Sequence, residues 1–184
     1  MTAAVAACGG GDSDEESAPA VAGRTFRGGG LSFVYPANWR KRPPRELTDD
    51  VTTFQVTVGP RGRANDKIAV SIGTTGIVIE GKPLAITEEN LEENKDLALT
   101  GVEFMVSIGG GKLGEPTRVT VAGLPGFRVK ASGVKVWKDG RVDVDYTDVF
   151  KGSTSYTVSC VYTPAGAAEV RNACEQVLRS LRVS

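Results

Sequence analysis

Histidine is absent from this 184-residue chain. Without an imidazole there is no Ser-His-Asp or Cys-His nucleophile, no HExxH zinc site and no imidazole acid–base pair near neutral pH. Also missing is any apolar run near the ~20 residues that a membrane-spanning helix needs. Net charge is lacking too, with 22 basic against 22 acidic groups. Four of the acids, Asp12, Asp14, Glu15 and Glu16, precede Arg24, so the rest of the chain carries a basic excess of about four. That field is too weak to mark a nucleic-acid binder. Two short like-charge clusters, Arg40, Lys41, Arg42 and Arg45, then Glu88, Glu89, Glu92 and Glu93, read as a solvated loop and a solvated helix face. The length suits one domain that buries roughly 70% of its unfolded surface.

What is present begins at the amino terminus. Val5-Ala6-Ala7-Cys8, followed by Gly9-Gly10-Gly11, resembles a bacterial lipobox, with small residues before a thiol that can take a diacylglyceryl group. Residues 1–7 then read as the remnant of a signal peptide, although a basic start and a full apolar stretch are missing from it. The alternative is a short Ala-rich leader of a cytosolic protein. From Cys8 to Arg24 the chain is mostly Gly, Ser, Ala, Pro and acid. Such a composition cannot offset its ordering entropy, so 8–24 reads as a tether with a reach of roughly 20–23 Å.

Three cysteines divide into one anchor and one pair. Cys160 sits in the alternating run Tyr156–Tyr162, and Cys174 in a helical pattern with Val170, Val177, Leu178 and Leu181. A strand followed by a helix folding back on it brings the two thiols together. A bridge there closes a loop of about 15 residues and contributes roughly 3 kcal/mol on the chain-entropy view. It requires an oxidising compartment, the one the lipobox implies. Buried free thiols are the alternative.

The remaining patterns are mostly short strands. Thr25–Arg27 and Leu31–Pro36 flank a glycine turn, and Val51–Val58 and Ile68–Ile72 form a second hairpin. A helix is expected from Thr87 to Leu99, then strands at Glu103–Ile108, Thr117–Val121 and Gly126–Ala131. Val134–Phe150 reads as two strands joined at Asp139-Gly140, and Ala165–Leu181 as a closing helix. The expected fold is α+β: a central antiparallel sheet flanked by helices.

The ordered set of motifs resembles the PsbP-like family. Phe33-Val34-Tyr35-Pro36-Ala37-Asn38-Trp39 is similar to its strand-to-Tyr-Pro-x-x-Trp entry, and Val121-Ala122-Gly123-Leu124-Pro125-Gly126 to its small-residue turn. Tyr156 to Leu181 resembles its last strand and helix. The resemblance covers roughly residues 25–184, and implies a single domain with helices on both faces of the sheet. It also implies a docking rather than a catalytic role, as in photosystem II PsbP and a Ran-binding import factor. Small secreted lipoproteins of actinobacteria are similar, and often carry a strand–helix cysteine pair.

Candidate chemistry is sparse. Asp143, Asp145 and Asp148 suggest calcium, but strand alternation sends Asp148 to the opposite face, so a polar, solvated strand face is the better reading. Gly109-Gly110-Gly111-Lys112 lacks the phosphate-loop pattern and reads as a turn. The candidate binding surface is Trp39, Arg40 and Arg42, with Trp137 beside the Asp139-Gly140 turn. Packing of Trp39 into the core under the first hairpin, with the neighbouring charges solvated, is nevertheless the favoured reading of the first, and cross-strand packing is the commoner role for an aromatic placed like Trp137.

The expectation is therefore a monomeric, extracytoplasmic, lipid-anchored docking domain. It needs no cofactor, metal or nucleic acid and is not an enzyme. Its partner would be another envelope protein or anionic lipid headgroups. The rival is a carrier of a small apolar ligand or lipid.

Overall fold

A computed structural model describes residues 22–44, 51–76, 78–135 and 140–184. Cys8, most of the expected tether and Trp137 lie outside the described residues. The chain enters through β1 (Gly23–Gly28), which pairs with β2 (Leu31–Pro36) across the Gly29-Gly30 turn, both glycines having positive φ. Gly23 and Arg24, read above as the end of the tether, are already strand residues opposite Pro36 and Tyr35.

A large antiparallel sheet follows. β3 (Arg40–Lys41) borders β4 (Thr52–Gly59), which forms the expected hairpin with β5 (Lys67–Thr74). Beyond β6 (Val78–Ile79) and β7 (Lys82–Pro83), a small separate hairpin, comes helix α1 (Lys95–Ile108). β8 (Lys112–Leu113), β9 (Thr117–Val121), β10 (Leu124–Lys135), β11 (Arg141–Lys151) and β12 (Thr154–Tyr162) complete the sheet. Its strand order is β3-β4-β5-β12-β11-β10-β8, with β9 also beside β10. A 3-10 turn (Pro164–Gly166) leads into α2 (Ala167–Ser180), and β13 (Arg182–Val183) closes on β2.

Strand alternation divides the core into two. On one face Val149, Tyr156, Val158 and Cys160 meet Val170, Cys174, Val177 and Leu178 of α2, and β2 adds Leu31 and Phe33. On the other, Phe127, Val129, Val142 and Phe150 meet Leu99, Val102 and Val106 of α1. Adjacent residues Val149 and Phe150 point to opposite layers, as the period of two requires. Helices thus cover both faces of an antiparallel sheet, the expected α+β arrangement.

Two expectations fail around α1. The expected helix at Thr87–Leu99 starts only at Lys95; before it Asn90 accepts from the Thr87 N–H (2.8 Å) and holds residues 88–94 in turns. The expected strand Glu103–Ile108 is the second half of the helix. Its apolar residues are ambiguous in period: Val102 and Val106 match the core face at helical spacing, while Phe104, Met105 and Ile108 lie outside it.

Candidate functional site

Within the candidate surface, Trp39 and Arg42 form an internal brace, while Arg40 and Lys41 between them are exposed. Trp39 is 1% exposed, and its indole N–H donates to Glu169 Oε1 at 2.8 Å. Pro36 and the following turn bring the ring under the start of α2, so core packing, the favoured reading, holds. Arg42 is half-buried, and its Nη2 donates to the carbonyls of Arg63 (2.9 Å) and Asp66 (2.7 Å), tying down the β4–β5 loop. Burial lowers its pKa, and the nearby Asp66 opposes that shift.

Asp66 completes the brace. It is fully buried and accepts from both the backbone N–H (2.8 Å) and the hydroxyl (3.0 Å) of Thr163. Arg63 links the two acids, lying 3.2 Å from Asp66 and pairing with Glu169. A Cβ at Gly166 would fall 2.0 Å from an Asp66 oxygen, so glycine is required at that approach. Of the expected surface residues within the described chain, Arg40 alone remains exposed.

The aspartates of β11 do not form a solvated face. Asp143 accepts from the Gly133 N–H at 3.0 Å. Asp145 is 2% exposed and receives a two-pronged contact from Arg128 at 2.7 and 2.6 Å. The same guanidinium reaches Glu175 of α2 at 2.6 Å. Its pKa is raised, first by the bond to Asp145 and against the effect of burial. Asp148, on the other face, is buried and accepts from the Thr157 hydroxyl at 2.9 Å. Burial pushes its carboxyl up to about 7, the Thr157 bond working the other way. Among the described residues no group of three possible ligands could hold a metal ion.

Arg128 and Glu175 also line a groove of about 410 Å³ between α2 and the β9–β10 hairpin. Val119, Val121 and Leu178 supply apolar walls, and Arg179 adds an exposed cation. Beneath them the buried hydroxyl of Thr147 has no hydrogen-bond partner. The rim is shaped by Ala122-Gly123, whose φ values of 55° and 77° match the type I′ turn favoured in two-residue hairpins. Gly126 then lets β10 close on β11, since a Cβ there would sit 2.0 Å from the Asp148 carbonyl.

Sequence reading noticed the turn but missed the groove. Arg128, Glu175 and Arg179 are scattered charges that only the β10–α2 packing brings together. A second groove of about 330 Å³ lies at Arg27, Leu31 and Arg182, also on the α2 side.

The fold has solved counterparts. The solution structure of cyanobacterial PsbP (CyanoP) from Synechocystis sp. PCC 6803 superposes with a TM-score of 0.59 at 13% identity, over 98% of this chain and 99% of that one. A Bacteroides thetaiotaomicron crystal structure superposes with a TM-score of 0.53 at 12% identity, over 88% of this chain and 48% of that one, so the chain spans about half its length. No family model matches the sequence, and no curated protein does. At these identities the likeness establishes architecture alone: the chain has a PsbP-like fold.

Proposed function

We propose that this protein is an extracytoplasmic docking domain, held to the membrane by a lipid on Cys8, that binds another envelope protein through the α2/β9–β10 groove. The single observation carrying the docking part is that groove. It pairs apolar walls with Arg179 and an orphaned buried hydroxyl at Thr147, the mixture of apolar anchors and polar guides that protein interfaces use. The location is supported by the Cys160–Cys174 bridge between β12 and α2, since such bonds persist in oxidising compartments. The groove's open, mixed lining gives no comparable support to a carrier of apolar molecules, which calls for an enclosed pocket.

Intact-mass measurement on native material tests the anchor: a diacylglyceryl addition at Cys8 is expected, and an unmodified leader with three titratable thiols would overturn it. Docking is tested by gentle crosslinking in detergent-solubilised membranes. A reproducible partner should be recovered, reconstitute as a binary complex, and be lost with Val121→Glu or Arg179→Glu. Recovery of nothing, or capture indifferent to both variants, refutes the groove.

A further inference from the structure

Strand β9 is an open edge of the large sheet, paired with β10 on one side only. Val121 and Leu124 face each other across the Ala122-Gly123 turn. In a two-residue hairpin of this kind the closing pair is hydrogen-bonded, and every second pair after it is too. Thr117, Val119 and Val121 therefore turn their N–H and C=O groups to β10, while Arg118 and Thr120 turn theirs outward. Pro125, which has no N–H, stands opposite Thr120, where the pattern asks for no bond. Among the described residues no backbone group pairs with this outward edge, and Arg118 and Thr120 are exposed.

Sheet edges are ordinarily kept from pairing by shortness, charge or bulges. The opposite edge of this sheet, β3, is two residues long and both are basic. β9 runs for five residues and is β-branched at Thr117, Val119, Thr120 and Val121. Its one charge, Arg118, is already engaged by Glu88. On the α2 side, Val119 and Val121 also form the outer wall of the groove. There Arg128 and Glu175 pair with each other, and among the described residues no ion pair reaches Arg179.

We propose that β9 takes an extended peptide segment of the partner as an added antiparallel strand. The N–H and C=O groups of Arg118 and Thr120 hold it, since an extended chain presents acceptors and donors at that same repeat. Its side chains alternate between the two faces: apolar ones continue the row of Val119 and Val121, and a carboxylate meets Arg179. The side-chain part rests on the groove reading above; the backbone pairing does not.

The test selects a displayed library of random linear peptides on the immobilised full chain. Recovered peptides should alternate apolar and polar residues and carry an acid. Thr120→Pro removes an outward N–H that no sheet bond uses, so the thermal midpoint should hold while peptide binding falls at least roughly tenfold. Thr120→Val keeps the N–H and should bind as wild type does. When peptide is bound, the Arg118 and Thr120 amides should exchange their hydrogens at least roughly tenfold more slowly. No recovered binder, binding indifferent to Thr120→Pro, or a bound peptide that leaves both amides exchanging as in the free chain overturns the proposal. So does a solution dimer that Thr120→Pro dissociates, because a second copy would then hold the edge. Val121→Glu and Arg179→Glu separate the two readings. Amide protection that survives both variants refutes the groove and keeps the edge, whereas binding lost to both without amide protection keeps the groove and refutes the edge.

Discussion

The indole N–H of Trp39 donates to Glu169 at 2.8 Å across 130 residues of chain, fastening the turn after β2 to the first turn of α2. Glu169 is well placed, since an acid in a first turn is favoured by the helix dipole. Truncation of Trp39 to Ala should destabilise by about 3–5 kcal/mol. Glu169→Ala should cost about 1–3 kcal/mol by leaving the buried indole N–H unpaired. Urea unfolding read by far-UV circular dichroism distinguishes the two, and a Trp39→Ala midpoint equal to wild type would show that the ring is not packed as described.

The Cys160–Cys174 bridge joins two residues that are 0% and 1% exposed. Replacing both with Ser should lower stability by roughly 2–4 kcal/mol. Mild reductant should act slowly on the folded protein and fast once it is partly unfolded. Thermal melts with and without reductant check this; identical midpoints would mean the bond contributes nothing.

Legibility followed locality. The β1–β2 and β4–β5 hairpins were readable because a turn and alternating residues lie within one short stretch. The same holds for α2, whose Val170, Cys174, Val177 and Leu178 repeat at one helical period. In contrast, α1 was cut short and partly read as strand, because apolar residues on both sides blur the helical period. The Asp145 environment was misread for a different reason. Its partner Arg128 sits 17 residues earlier and Glu175 belongs to the last helix, so nothing near Asp145 in sequence signals burial. Core packing of Trp39 was the favoured reading and holds, but its basic neighbours Arg40, Lys41 and Arg42 also made it a surface candidate, because its partner Glu169 lies 130 residues away in α2.

Arg128 stands between two acids, one of them buried, so its removal strands a charge. Arg128→Ala should destabilise by about 3–5 kcal/mol, chiefly through the unpaired Asp145 carboxylate. Adding Asp145→Ala should restore part of that loss. A double-mutant cycle by chemical denaturation measures the coupling, and additive losses would show that the pair does not act as a unit.

Asp148 gives a pH signature of opposite sign to an ordinary salt-bridged carboxylate. Its pKa rises from 3.8 in the unfolded reference to about 7 in the folded protein, because burial penalises the charged form. Between those values the folded chain holds a proton that the unfolded chain has released. Stability should therefore fall as pH rises from about 4 to about 7, and then level off. Asp148→Asn keeps the side chain neutral throughout, so it should flatten this slope and gain up to roughly 4 kcal/mol over wild type at pH 8. Urea midpoints collected from pH 4 to 8 decide the matter: parallel curves for the two proteins would mean that the carboxyl titrates as it does in water.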